Sequence, residues 1–159
     1  MTGIRMKTRN ININFKNKKP LCLTIGNFDG IHTGHQYIIN KLVIESKKNK
    51  LIPTVLSFNP HPRIYFNKLE KDFNIIFQKE KKTILNSMGV LNYFKLNFDS
   101  ITSSMSAKDF VVKFLVNNLK LKTLIIGENF KFGKDRKGNI NLLKKLSKEF
   151  NFSLKIIKS

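Results

Sequence analysis

The chain has 159 residues, which suits one domain with one core, and its 41% hydrophobic content with 14 Phe excludes a disordered class. Its 30 Lys and Arg against 10 Asp and Glu give a formal charge of +20, yet the lysines run the whole length among many Asn, Ile and Phe. Compositional bias of an AT-rich coding sequence accounts for that mixture, and neither a helix-turn-helix nor alternating basic and aromatic residues mark a nucleic-acid binder.

The first 19 residues read as a basic, polar N-terminal segment without the apolar centre of a secretory signal, and no apolar run approaches the ~20 residues of a membrane span. A cytoplasmic protein with no membrane partner is therefore expected. Leu21–Ile25 is a short apolar run that reads as a buried strand, with the single Cys22 inside it as a small hydrophobe. A turn follows from Gly26, and residues 35–47 place Ile38, Ile39, Leu42 and Val43 at helical spacing. Residues 51–58 form the next strand, ended by Pro60 and Pro62. Residues 75–88 are mostly helical with Gly89 at the stop, and 91–96 form a third strand. Ser106-Ala107-Lys108-Asp109 is a capping-box pattern opening a helix that buries Phe110, Val111, Phe114 and Leu115. Residues 122–126 form a fourth strand. A loop from Gly127 to Gly138 leads to a helix carrying Leu142, Leu143 and Leu146, and 152–157 is the last strand. Strands alternating with helices imply an α/β fold, a Rossmann-like three-layer sandwich with a mainly parallel sheet.

Three blocks follow strand ends, where ligands sit in such folds. The first is Gly26-Asn27-Phe28-Asp29-Gly30-Ile31-His32-Thr33-Gly34-His35, ahead of a helix. Free N–H groups and the positive dipole end at a helix start attract phosphate, and Gly34 admits a ligand close to the backbone. His32 and His35 suit hydrogen bonding to phosphoryl oxygens and stabilising charge during transfer. No Cys or acidic cluster accompanies them with metal-ligand spacing. Asn27 and Asp29 are turn formers by type; Asn27 is also placed to touch substrate, and Asp29 to orient a neighbouring group or the metal. The second block is Phe58-Asn59-Pro60-His61-Pro62, a stiff strand exit. The third is Gly127-Glu128-Asn129-Phe130-Lys131-Phe132-Gly133, with two aromatics at alternate positions. Neither a Walker A sequence nor Gly-x-Gly-x-x-Gly occurs, which disfavours a P-loop enzyme or a dinucleotide-binding oxidoreductase.

The first block resembles the signature of the HxGH nucleotidyltransferase superfamily, and the three blocks in this order resemble bacterial FAD synthetase, the bifunctional riboflavin kinase/FMN adenylyltransferase family. The resemblance implies transfer of AMP from Mg²⁺-bound ATP to FMN, with FAD and pyrophosphate as products. It implies His32, His35 and Asn129 as catalytic residues, with Asn129 a candidate Mg²⁺ ligand through its carbonyl oxygen. Gly26, Asn27, Phe28, Asp29 and Gly34 are implied at ATP. Phe58, Asn59, Pro60, His61, Pro62, Phe130 and Phe132 are implied at the flavin. The domain is expected at residues 20–159. The family's Ile-Ser-Ser-Thr block with its Arg, and its riboflavin kinase domain, are not found in these residues. The implied small-molecule partners are ATP and FMN. A gene-reduced enzyme, one partnered by a separately encoded C-terminal half, a degenerate remnant and a basic nucleic-acid-binding module stand as alternatives.

Overall fold

A computed structural model describes residues 5–29, 33–59 and 68–158, with only the backbone of 68–74. In chain order the elements are β1 (Lys7–Ile11), β2 (Leu21–Ile25), α1 (Thr33–Asn49), β3 (Ile52–Asn59), α2 (Lys68–Ser87), β4 (Asn92–Asn97), α3 (Ser100–Ser104), α4 (Ala107–Asp109), β5 (Leu121–Gly127), α5 (Ile140–Glu149) and β6 (Ser153–Ile157). Helix α4 runs on into a wider, π-wound segment, Phe110–Asn118, which closes with the Leu119 N–H on the Phe114 carbonyl. The strands form one six-stranded sheet in the order β1-β4-β3-β2-β5-β6. Every neighbouring pair is parallel. The α/β, parallel-sheet architecture expected from the sequence is the one observed.

Alternation along the strands splits the core. Leu21, Leu23, Leu56, Phe94, Leu124 and Ile126 face one side, where Phe110, Phe114, Leu115, Leu143 and Leu146 cover them. Cys22, Val55, Tyr93 and Ile125 face the other, against Ile39 and Leu42 of α1 and Leu85 of α2. Central strand β2 is buried along its whole length, because it has a neighbour on each side and helices over both faces. The edge strand β1 is the opposite case. Its residues Lys7, Thr8, Arg9 and Asn10 are exposed and only Ile11 is buried, so no apolar alternation marks it. Its backbone pairing with β4, from Lys7 opposite Asn92 to Ile11 opposite Leu96, makes it a strand. The segment read as merely basic thus contributes to the sheet.

From β2 the chain winds outward through β3 and β4, then crosses back to β5 on the other side of β2. The strand order reverses between β2 and β5, and the crevice outside their C-terminal ends is where open α/β sheets take ligands. Among the described residues no helix is long and apolar enough to cross a membrane.

Candidate active site

A cleft of about 650 Å³ opens at the C-terminal ends of β2, β3 and β4, closed on one side by the loop after β5. Its two walls differ in chemistry because they come from opposite faces of the sheet. One is aromatic: the Phe58 ring lies 5.6 Å from Phe98 and 6.4 Å from Phe110, and Phe110 lies 6.1 Å from Phe132. The other is polar, formed by Gln78 and Lys81 of α2 with Ser57, Tyr93 and Lys95 of the sheet. Ser57 Oγ donates to Tyr93 Oη at 3.2 Å. The Nζ atoms of Lys81 and Lys95 lie 5.8 and 5.6 Å from the centre of the Tyr93 ring, a favourable placing of cations against π density. Burial pushes the ammonium pKa values of Lys81 and Lys95 below the ordinary lysine range, and pushes the Tyr93 phenol up. Gln78 Oε1 is fully buried and has no hydrogen-bond partner among the described residues.

The turn after β2 forms the rim. The Gly26 N–H donates to the Leu56 carbonyl at 3.0 Å, and Asn27 Oδ1 accepts from the Phe58 N–H at 3.1 Å. Both bonds tie the turn to β3. Phe28 adopts a left-handed conformation, φ +53°, and its ring is buried, 5.1 Å from the His35 imidazole in an edge-on contact. Phe28, implied at ATP by the resemblance, is thus a pillar under the turn. Asp29 is exposed and stands 3.7 Å from Lys81 Nζ. Lys81 also donates to the main-chain carbonyl of Asn27.

Of the implied residues, Asn27, Asp29, Phe58, Asn59 and Phe132 line one cleft. Asn59 Nδ2 donates to Asn10 at 3.2 Å and to Asn97 at 3.0 Å, which joins the ends of β3, β1 and β4. Gly34 and His35 lie in the first turn of α1. Asn129 is exposed on the loop after β5 and does not line the cleft. Phe130 stacks on Phe132 at 5.3 Å and 14°. His32, Pro60, His61 and Pro62 lie outside the described residues. Among the described residues no group of three or more His, Cys, Asp or Glu gathers to hold a metal ion.

The polar wall was not read from the sequence. Gln78, Lys81 and Leu85 share one face of α2 by their spacing, and Leu85 is fully buried. A lysine on an apolar helix face was the available signal. Tyr93 and Lys95 gave none, since alternation along a short strand does not say which face meets a cleft.

The sequence matches the family model described as FAD synthetase over residues 14–159. The chain belongs to the FAD synthetase family. Among curated relatives of that family, the bifunctional riboflavin kinase/FMN adenylyltransferase of Buchnera aphidicola subsp. Acyrthosiphon pisum (strain APS) is 39% identical over 132 residues, 83% of this chain and 42% of that protein. The FAD synthetase of Listeria monocytogenes serovar 1/2a is 33% identical over 140 residues, 87% of this chain and 56% of its own length. The chain therefore spans about half the length of these curated relatives, or less. A crystal structure described as a macrolide-efflux protein from Streptococcus pneumoniae superposes with a TM-score of 0.69 over 96% of this chain and 51% of that one, at 22% identity. That likeness shows the fold.

Proposed function

We propose that this chain transfers AMP from Mg²⁺-bound ATP to FMN. An oxygen of the FMN phosphate attacks the α-phosphorus, the bond from that phosphorus to the bridging oxygen breaks, and pyrophosphate leaves. The observation that carries this reading is the two-walled cleft beside the turn after β2. A flat apolar ring system fits the aromatic wall, and anionic groups fit the helix start and the lysines. The nucleophile is anionic at neutral pH, so catalysis rests on alignment and charge stabilisation, and no general base is assigned. His32 and His35 are assigned to the ATP phosphates, Phe58 and Phe132 to the flavin ring. Mg²⁺ enters as part of the ATP complex. Asn129 is assigned to that complex through its carbonyl oxygen.

Purified protein with FMN, ATP and MgCl₂ is expected to form FAD and pyrophosphate, followed by chromatography. A folded sample that forms none, also with the remaining half of a longer relative supplied, defeats the reading. His35→Ala is expected to lower turnover on the order of 10²-fold with folding retained. Equal loss of fold and activity would make the histidine structural.

A further inference from the structure

Lys81 has a side chain only 4% exposed. A buried ammonium is costly unless it is paired and hydrogen-bonded. Among the described residues, both of its polar partners belong to the turn after β2: the Asn27 carbonyl and, at 3.7 Å, the Asp29 carboxylate. The face of Tyr93 lies on another side at 5.8 Å, with Lys95 across the same ring. The turn needs holding. Phe28 occupies φ +53°, a sparsely populated conformation for a bulky side chain, which persists where the surroundings over-determine it. The turn also sets the aromatic wall, because Asn27 Oδ1 takes the N–H of Phe58. Asp29, 72% exposed, puts a negative charge on the rim of a cleft assigned to anionic substrates. Lys81 is the cation that compensates it. An apolar side chain on α2 would anchor the helix as well and at less cost, but it would neither fix the Asn27 carbonyl nor neutralise Asp29.

We propose that Lys81 is a positioning residue of the transfer: it fixes the Asn27–Asp29 turn and cancels the Asp29 charge, and so registers the phosphate-binding turn against the aromatic wall. This rests on the adenylyl-transfer reading given above.

The test is Lys81→Met, which keeps the stem and removes the charge. In a folded variant, kcat for FAD formation is expected to fall at least tenfold while KM for FMN changes less than threefold. The Phe58 amide, followed by NMR hydrogen exchange, is expected to exchange at least tenfold faster, since its acceptor sits on the released turn. Asp29→Asn is expected to change kcat much less in the Lys81→Met background than in the native one, the non-additivity of residues acting together. A folded Lys81→Met protein with native kcat, native Phe58 exchange or strictly additive effects overturns the proposal. If Lys81→Met does not fold, Asp29→Asn at the exposed carboxylate decides: a native Phe58 exchange rate and kcat there also overturn it. Native protein that makes no FAD defeats the function instead. The exchange measurement then still reads the turn.

Discussion

Gly133 is held at φ +77° and ψ 177°, a region open essentially to glycine alone. A Cβ there would stand 2.6 Å from the Ala107 backbone. Gly133→Ala is therefore expected to destabilise by about 3 kcal/mol in urea unfolding, conformational strain and overpacking adding together. Gly138 is required for a second reason: its Cβ would meet the Phe132 ring at 2.7 Å. The two residues exchange backbone hydrogen bonds, Gly138 N–H to Phe132 at 2.8 Å and the return at 3.2 Å, and this closes the loop that presents Phe132 to the cleft. At the opposite wall, burial lowers the Lys81 pKa from 10.5. Below the lowered value both folded and unfolded chains hold the proton, and the fold bears the full cost of burying it. Between that value and 10.5 the folded protein releases its proton first, so stability gains with rising pH. The stability of Lys81→Met relative to the native protein is expected to be highest near pH 7 and to decline towards pH 10.5, measured by urea unfolding across that range. A difference that does not change with pH would show that the lysine is not desolvated.

The elements around the cleft are capped by side chains at the positions that set their direction. Ser106 Oγ accepts from the Asp109 N–H at 3.1 Å at the start of α4, and Asn139 Oδ1 accepts from the Leu142 N–H at 2.9 Å at the start of α5. The first was legible in the sequence as a capping box. Asn139→Ala is expected to cost about 1 kcal/mol by thermal or urea unfolding, the usual value of such a cap. Helix α3 was not foreseen. It is a five-residue turn capped by Asp99, whose Oδ1 takes the Thr102 N–H at 2.8 Å, and five residues are too few to show a helical period. In β2, burial raises the Cys22 thiol to about 11. With the residue wholly enclosed, the native protein is expected to resist iodoacetamide at pH 8 and to react at one site in denaturant. Native-state alkylation would place the strand at an open edge.

Across the whole molecule, the reversal of strand order at β2 and β5 gathers parts far apart in sequence. Asn27, Phe58, Lys81 and Phe132 meet in one cleft. The formal charge of +20 attracts anions at long range, and on the adenylyl-transfer proposal its field would speed capture of the nucleotide substrate. For FAD formation, kcat/KM is expected to fall severalfold as ionic strength rises from about 0.01 M to about 0.15 M, because screening shortens the reach of that field. An unchanged value would mean that the dispersed lysines give no steering.

The sequence by itself determined the strands from Leu21–Ile25 onward, the parallel α/β class and the three blocks that follow strand ends. These rest on apolar runs, helical spacing and turn residues, all of them local. Tertiary structure decided β1, whose exposed residues carry no apolar pattern and whose strand exists only through pairing with β4. It also decided that the Phe28 ring is buried against His35, and it built the polar wall of Gln78, Lys81, Tyr93 and Lys95. Which face of a helix or strand meets a cleft depends on what packs against it, and that information lies in the partner element.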